Sequence, residues 1–483
     1  MAKQDILDRP ILSLSEKDNL RLRDLVEGTL ITGAPGSGKS STSGKQIAFG
    51  LLRTPGMGGL VLTAKAEETQ NWIAYAKTCG REKDLIVFNA ESGHCFDPIH
   101  YEFSLRTGRD LGDMEGIIDF FSTLVSIGKK EIGHGHDPFW ERGNEQLMRN
   151  CIKLLDLAGE RTSIASIDRV IKSLPTRPDE HEGAEWQSQS YCAQLIAAIK
   201  ARKDTLTEDQ WGDLDFATQY IFNKWPAFDE RPRSSLEMTW SGMADKFLFN
   251  PFNRLFCSGK CTFTPEDTTH NAKIVICDFP MLEYGHETGR TINVILKLIF
   301  QLAWLRRRLS ESPNPVFLWQ DEFQYFVTRR DNFFQQTCRG SRVAVVCLTQ
   351  NTSNLSEELG EDQPGSKTKS FLGNLAIKIF HQQNDTETCN YAADQIGRHY
   401  VYLDNYNAGG SGEGNHSHAS VGGHKQLVHV IEPIEFTRLM KPDSDNPYAQ
   451  AIVYLSGKPF NATKSEQNPR GCNYLPVFFS RET

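Results

Sequence analysis

The stretch Gly33-Ala34-Pro35-Gly36-Ser37-Gly38-Lys39-Ser40 follows the apolar run Leu30-Ile31 and precedes a segment, Ser41 to Leu52, with the pattern of a helix. Glycines at a strand-to-helix turn allow several backbone N–H groups to point inward, and the helix adds the positive end of its dipole. Both features favour the binding of phosphate, and the eight-residue pattern is that of a P-loop. The alternative, a glycine-rich turn with an unrelated lysine, does not account for the whole pattern.

The P-loop predicts ATP and Mg²⁺ as cofactors. Lys39 is expected to reach the β- and γ-phosphates, and the Ser40 hydroxyl is expected to bind Mg²⁺. The predicted phosphate cradle consists of Gly33, Ala34, Pro35, Gly36, Ser37, Gly38, Lys39, Ser40 and Ser41.

Apolar runs of strand length follow the P-loop along the chain. They are Leu60–Leu62, Leu85–Phe88, Lys273–Cys277, Val316–Trp319, Val343–Leu348, Leu375–Phe380 and Ala449–Leu455. Because helical segments separate many of them, the predicted fold is α/β with a largely parallel central sheet. Residues 161–240 lack strand signals and are predicted to form an all-α insertion.

The predicted domains are an N-terminal arm (1–27), a nucleotide-binding domain (28–160 and 241–456), the all-α insertion (161–240) and a C-terminal tail (457–483). The tail is expected to be irregular. Ala408 to Gly423 is rich in Gly, Ser and His and is expected to be a flexible loop. Its histidines are more typical of a solvated tract than of a metal site.

Two acids follow the buried run Val316–Trp319 and predict hydrolysis. Asp321 is expected to hold the Mg²⁺ shell through water, and Glu322 to polarise the attacking water as a general base. Their strand is expected to lie beside the P-loop strand. Gln350, at the end of the next strand, is a candidate sensor of the γ-phosphate. A surface Asp-Glu pair is the alternative.

Arg339 lies between the acids and the Gln350 strand. It is a candidate arginine finger for the nucleotide of an adjacent subunit, provided that the protein forms a ring.

The chain of 483 residues has a formal net charge of −8, so DNA contacts are expected to be local. One candidate is the loop with Lys129, Lys130, His134 and His136, for which a mobile surface loop is the alternative. Arg306-Arg307-Arg308 is expected to cap a helix rather than bind DNA. Eleven scattered cysteines indicate reduced thiols, and zinc at Cys257, Cys261 and His270 is disfavoured.

The order of motifs resembles the coupling proteins of conjugation and type IV secretion, the TraG/TraD-like branch of the HerA/FtsK ring ATPases. The resemblance covers most of residues 28–456. Besides the P-loop, its motifs are Leu62-Thr-Ala-Lys65-Ala-Glu67, Phe96-Asp-Pro98-Ile99, Asp137-Pro-Phe-Trp140, Trp319-Gln-Asp321-Glu322-Phe323, Arg339-Gly340, Leu348-Thr-Gln350, Gly373-Asn374 and Asp385-Thr386.

This resemblance implies a RecA-like nucleotide-binding domain, an inserted all-α domain, and hexamers that pump DNA through a central channel. It places the P-loop at Lys39 and Ser40, the acidic pair at Asp321 and Glu322, the sensor at Gln350 and the finger at Arg339. Two departures are the lack of transmembrane helices before the P-loop and Thr63, where the family commonly has aspartate.

The preferred hypothesis is therefore an ATP-hydrolysing DNA translocase or coupling ATPase that acts as a homo-oligomeric ring. Its expected partners are DNA and a membrane-anchored secretion subunit or a relaxase-like substrate. The expected location is the cytoplasm, with attachment to the inner membrane through a partner as a variant. The alternative is an ATP-switched adaptor that recruits protein substrates to a secretion or defence assembly; a small-molecule kinase is weaker because no acceptor pocket is evident.

Overall fold

The computed structural model of the protein describes residues 5–105, 116–118, 121–122, 138–361, 364–410 and 417–482. The chain forms two compact units. Unit 1 comprises residues 1–85, 269–274 and 307–483, and unit 2 comprises residues 86–268 and 275–306. The predicted DNA-contacting loop with Lys129, Lys130, His134 and His136 lies outside the described residues.

The strands follow closely the apolar runs of the sequence. They are β1 (Pro10–Ser13), β2 (Asn19–Arg21), β3 (Thr29–Thr32), β4 (Gly58–Leu62), β5 (Leu85–Phe88), β6 (Ile274–Cys277), β7 (Val316–Gln320), β8 (Val343–Thr349), β9 (Ile377–Phe380), β10 (Arg398–Gly410), β11 (Ser417–His429), β12 (Tyr448–Leu455) and β13 (Tyr474–Ser480). Every apolar run named above contains a strand, because β-sheet burial on both faces demands such runs.

The described helices occupy the intervals between these strands. They are α1 (Leu22–Leu25), α2 (Lys45–Leu52), α3 (Ala66–Thr78), α4 (Pro98–Ser104), α5 (Pro138–Ala158), α6 (Ile164–Lys172), α7 (Ala184–Gln189), α8 (Tyr191–Ala201), α9 (Glu208–Gln219), α10 (Glu230–Leu248), α11 (Phe252–Phe256), α12 (Pro265–His270), α13 (Met281–Tyr284), α14 (His286–Arg306), α15 (Arg330–Thr337), α16 (Thr352–Glu358), α17 (Ser366–Gly373), α18 (Thr386–Ile396) and α19 (Pro433–Thr437). No helix within the described ranges is long and apolar enough to cross a bilayer.

Unit 1 is built on a mostly parallel sheet with the strand order β13-β12-β9-β3-β8-β7-β4. The pairs β9–β3, β3–β8, β8–β7 and β7–β4 are parallel, whereas β12 pairs antiparallel with both β9 and β13. Strands β3, β7 and β8 are buried along their whole length. The predicted α/β class with a largely parallel sheet is therefore confirmed.

One expectation about strand order is wrong. The strand that carries the two acids, β7, does not lie beside the P-loop strand β3, because β8 lies between them. Two neighbouring strand spacings separate β3 from β7, about 10 Å in all. The P-loop spans this distance, because it extends beyond the end of β3 before Ser40 contacts Asp321.

The segment from Ala408 to Gly423 is not the expected flexible loop. Its described residues belong to a long antiparallel hairpin, in which β10 and β11 pair from Arg398 with His429 to Gly410 with Ser417. These two strands form a sheet of their own. Backbone hydrogen bonds can order such a ribbon without the alternation of apolar residues that marks a half-buried strand.

The C-terminal tail is also more regular than expected, since Tyr474–Ser480 pairs with β12 as an edge strand of the main sheet. The N-terminal arm contacts this tail. The Asp18 carboxylate accepts hydrogen bonds from the backbone N–H groups of Asn461 and Ala462 at 2.8 Å, and Lys458 Nζ lies 2.9 Å from Asp24 Oδ1. The N-terminal arm and the C-terminal tail are therefore bound to each other within unit 1.

Unit 2 is largely helical. From residue 161 to residue 240 the chain forms helices and turns without a strand, as the composition predicts. Its core contains a cluster of aromatic rings in which Phe88 packs edge-on against Phe256, Phe263 and Phe279. Arg306, the last residue of α14, binds Glu102 at 2.7 Å, so this arginine has a structural partner.

Candidate nucleotide-binding site

The P-loop connects β3 to a five-residue turn of π-helix, Ser40–Gly44, which continues into α2. Gly36 and Gly38 have φ angles of +74° and +91°, which favour glycine. A Cβ atom at Gly38 would also approach the Cβ of Ala449 to 2.8 Å. Glycine is therefore required at Gly38 for both backbone conformation and space.

The π-turn has its own requirement for glycine. Gly44 N–H donates to Lys39 O at 2.9 Å, five residues back, and a Cβ at Gly44 would lie 2.7 Å from that oxygen. Single π-turns within helices are frequent at functional sites. Here the turn fixes the backbone on either side of Ser40.

Two residues that follow β9 form hydrogen bonds with the P-loop and the turn after it. Gln382 O accepts from Ala34 N–H at 2.8 Å, and His381 Nε2 lies 2.7 Å from Ser43 Oγ. Burial, aided by the charge of Lys39, lowers the pKa of His381 to about 3. His381 is therefore neutral and forms a buried hydrogen bond with the P-loop helix.

Ser40 and Asp321 meet at the carboxyl edge of the sheet. Ser40 Oγ donates to Asp321 Oδ2 at 2.9 Å, although 281 residues separate them in sequence. Burial raises the pKa of Asp321, and Lys39 and this hydrogen bond act against that increase. The Ser40 hydroxyl and the Asp321 carboxylate thus place two oxygen atoms next to each other, where both could bind a cation.

Glu322 lies directly after Asp321 in the left-handed region, with φ of 53°. Such a conformation is uncommon for a residue other than glycine and is found mostly at functional sites. Its buried carboxylate contacts the side chains of Lys65 at 2.8 Å, Gln324 at 2.9 Å and Gln350 at 3.3 and 3.4 Å. Burial alone would raise the pKa of Glu322, but Lys39, Lys65 and Gln324 outweigh it and the pKa is lowered.

Lys39 is 9% exposed. Among the residues that the structure describes, its ammonium group has no hydrogen bond or ion pair, while its charge acts on Asp321, Glu322 and His381. A buried ammonium group of this kind is costly without an anionic partner. The Lys39 ammonium is therefore available to bind an anion at the P-loop.

Arg339 lies away from these contacts, in a short 3-10 turn from Cys338 to Ser341. Its side chain is 71% exposed and pairs with Glu27 at 3.1 Å. Among the described residues of its own subunit, Arg339 therefore makes no contact with the P-loop. An exposed arginine is what a contribution to a neighbouring subunit would require.

Sequence reasoning missed four residues of the site: Lys65, Glu68, Gln324 and His381. Lys65 lies in the turn after β4 and Glu68 in the first turn of α3, where the Glu68 carboxylate accepts from Ala64 N–H at 2.8 Å. Burial and the nearby Asp321 raise the pKa of Glu68 to about 8. Their positions in the sequence could have identified them. All four residues follow the carboxyl ends of buried strands, where ligands bind in open α/β sheets.

The donor set fits a nucleotide with Mg²⁺. Ser37 Oγ is buried without a hydrogen-bond partner in the described part of the chain. The ammonium group of Lys39 likewise has no hydrogen-bond partner there. The oxygen atoms of Ser40 and Asp321 are ligands of the kind that Mg²⁺ prefers. These observations match a phosphate cradle with an adjacent cation site.

One protein family matches part of the chain. Residues 315–441 match the family described as the TraM recognition site of TraD and TraG. This segment contains the acids, Gln350 and the β10–β11 hairpin. A search by sequence finds no matching curated protein.

Solved structures of TrwB match nearly the whole chain. Plasmid coupling protein TrwB in complex with the GTP analogue GDPNP is 14% identical, with a TM-score of 0.57 and coverage of 100% of this chain and 94% of TrwB. TrwB in complex with ADP and Mg²⁺ has 13% identity, a TM-score of 0.57 and the same coverage. An unbound form, described as a bacterial conjugative coupling protein, has 14% identity, a TM-score of 0.55 and coverage of 99% and 93%.

At such identities the likeness establishes the fold, and the predicted RecA-like class is confirmed. The resemblance to the coupling proteins that the motifs indicate is confirmed as well: residues 315–441 match the TraD and TraG family, and the chain has the fold of TrwB over its whole length.

Proposed function

We propose that this protein is a P-loop ATPase of the coupling-protein type, which hydrolyses ATP to move DNA through a homo-oligomeric ring, with a hexamer as the expected state. The observation that carries the proposal is the 2.9 Å contact between Ser40 and Asp321, with Glu322 next in the chain and surrounded by polar donors. A phosphate-binding loop and a water-activating acid are thereby at one edge of one sheet.

Binding of ATP is the first step. The backbone N–H groups between Gly33 and Ser41 cradle the phosphates, and Lys39 neutralises the β- and γ-phosphates. Ser40 and Asp321 would hold Mg²⁺, which supplies charge neutralisation to the phosphates. The complexes of TrwB with GDPNP and with ADP and Mg²⁺ support this assignment.

Hydrolysis requires a base beside the γ-phosphate. Glu322 is suited to orient and deprotonate water, because its lowered pKa keeps the carboxylate ionised at neutral pH. Gln350 contacts Glu322 through its amide nitrogen and can also bond water or a phosphate oxygen. It can therefore report the presence of the γ-phosphate to β8.

Transport of DNA rests on the fold and on the family match. TrwB is a plasmid coupling protein, and its fold covers the whole of this chain. In a ring, the exposed Arg339 would reach the nucleotide of the adjacent subunit after release from Glu27. A membrane-anchored secretion subunit or a relaxase-like protein would be a further partner.

The alternative is an ATP-switched adaptor, and one observation favours it. The matched family is described as a TraM recognition site, which is a site for protein rather than DNA. Deletion of residues 161–235 discriminates between the two functions. Loss of binding to a protein partner with intact DNA-stimulated turnover would support the adaptor.

The main experiment measures ATP hydrolysis with Mg²⁺, with and without single- and double-stranded DNA, in the wild-type protein and in Lys39→Ala. We expect turnover that DNA stimulates, and its loss in the variant. Lys45→Ala is the matched control, since Lys45 begins the helix after the P-loop and its ammonium donates to the backbone oxygen of Arg481. Turnover indifferent to both kinds of DNA would argue against transport.

The second experiment tests the ring. Electron microscopy and sedimentation with a non-hydrolysable ATP analogue and DNA should reveal a closed oligomer. Arg339→Ala should lower turnover in the assembled protein and leave the affinity of the isolated subunit for nucleotide unchanged. A monomer under all conditions would contradict both the ring and the finger.

A further inference from the structure

Three side chains donate to the carboxylate of Glu322. Lys65 Nζ lies 2.8 Å from Oε1, Gln324 Nε2 lies 2.9 Å from Oε2, and Gln350 Nε2 contacts both oxygens at 3.3 and 3.4 Å. Glu322 itself is 3% exposed. The carboxylate thus already has partners for both of its oxygens.

A general base needs a lone pair that can accept a proton from water. Charge-assisted hydrogen bonds are roughly twice as strong as neutral ones, so the ammonium of Lys65 is the strongest of the three donors. It also occupies one carboxylate oxygen. In this arrangement the Glu322 carboxylate is well oriented, but its lone pairs are poorly available to accept a proton from water.

The three donors differ in how easily they can leave. Gln324 is buried and its amide oxygen accepts from Thr349, so it is held on both sides. Lys65 lies on the turn between β4 and α3, with 54% of its side chain exposed. Its ammonium can therefore exchange Glu322 for another anion without unfolding an element or opening a cavity.

We propose that Lys65 is a positioning residue that restrains Glu322 in the resting protein and releases it when the nucleic acid engages. This inference rests on the proposed function, because it assigns a regulator to the same base. The turn that carries Lys65 also contains Thr63, where the coupling-protein family commonly has aspartate. The ion pair gives that turn a role.

The first test does not depend on activity. Lysines of the nucleotide-free protein are acylated with a small amine-reactive ester, and the rates at individual residues are read by mass spectrometry. Lys65 should react about threefold or more slowly than Lys77, which is exposed near the end of the following helix α3, because the Lys65 ammonium is paired. Glu322→Gln should bring the rate at Lys65 towards that of Lys77; equal rates in the wild-type protein would overturn the ion pair.

The second test measures ATP turnover in Lys65→Ala and Lys65→Met. Without DNA, we expect turnover to rise about three- to tenfold, since one charged donor leaves the base. Turnover with DNA should stay within about twofold of the wild-type value, so the ratio between the two falls. Lys65→Arg should retain the restraint, and Lys77→Ala is the control.

The outcomes separate the two proposals. If wild-type protein hydrolyses no ATP under any condition, the proposed function fails, while the acylation rates still report on the ion pair. If Lys65→Ala and Lys65→Met are folded by circular dichroism but hydrolyse ATP more slowly without DNA, Lys65 assists the base and the restraint is refuted. If the ratio of turnover with and without DNA is unchanged in both variants, regulation through Lys65 is refuted as well.

Discussion

The nucleotide site and the β10–β11 hairpin are ordered in opposite ways. In the site, buried side chains from β7, β8, β9 and the P-loop bind one another across the carboxyl edge of the sheet. In the hairpin, the two strands pair only with each other in the sheet topology, and Tyr402 is 72% exposed. Backbone pairing is thus enough for regular structure, whereas a site with fixed distances requires burial.

This contrast makes a general prediction. Substitution of a buried residue in or beside the sheet should change turnover or stability far more than a comparable substitution in or beside the hairpin. Apart from the pH titration of His381→Ala, each test therefore compares one buried residue of the sheet region with one residue of the hairpin region.

The largest effect is expected for Glu322→Gln. The amide keeps the shape of the side chain but cannot take a proton from water, so turnover should fall by about 10²- to 10⁴-fold. The paired control is Glu432→Gln, an exposed residue at the base of the hairpin. Steady-state ATPase assays decide, and equal turnover in the two variants would remove Glu322 as the base.

The next effect concerns His381→Ala, which should lower the free energy of unfolding by about 2–4 kcal/mol through a cavity and a lost hydrogen bond with Ser43. His399→Ala, on the exposed hairpin, should have little effect. Urea titrations measure both.

His381 also predicts a pH dependence. Because its pKa is about 3 when folded and 6.5 is the usual value, the unfolded chain binds more protons between these values. The wild-type protein should therefore lose stability as the pH falls from 7 to 5, and His381→Ala should lose less over that range. Identical slopes in the two proteins would contradict the buried neutral imidazole.

A stabilising effect is expected for Lys378→Met. Burial lowers the pKa of Lys378 to about 8 from 10.5, so the unfolded chain holds the proton more tightly and wild-type stability should rise between pH 8 and 10.5. At pH 7 the variant should gain about 1–3 kcal/mol. Lys425→Met, on the hairpin, should gain nothing, and a loss of stability in Lys378→Met would refute the cost of burial.

The smallest effect is expected for Leu403→Ser in the hairpin. Leu403 is exposed, so the free energy of unfolding should change by less than about 0.5 kcal/mol. Its buried counterpart in β9, Ile379→Ala, should cost about 2–5 kcal/mol. A large effect of Leu403→Ser in the isolated protein would mean that the hairpin packs against something else.

The sequence predicted the core of the sheet well and its edges poorly. Runs such as Val316–Trp319 and Val343–Leu348 are apolar because both of their faces are buried, and this burial makes them recognisable. The edge strand β13 contains Pro476 and has an exposed face, so its pattern is weak. In the hairpin, none of the described side chains at residues 398–405 and 422–429 is buried, so no buried face marks these strands in the sequence.

The candidate site divides in the same manner. Lys39, Ser40, Asp321 and Glu322 belong to local patterns, a glycine-rich loop and two acids after an apolar run, so their chemistry can be predicted from residues that are neighbours in sequence. The strand order is a different matter. The expectation that β7 lies beside β3 fails because nothing local to either strand specifies that β8 lies between them.

The amino-acid sequence by itself determined the buried α/β sheet, and it predicted a phosphate-binding loop and an acidic pair that activates water. Only the tertiary structure decided which partners those acids have: Ser40 for Asp321, and Lys65, Gln324 and Gln350 for Glu322. The physical reason is distance along the chain. Local patterns record the conformation and burial of a segment, whereas contacts such as that between Ser40 and Asp321, 281 residues apart, arise from the packing of the whole sheet.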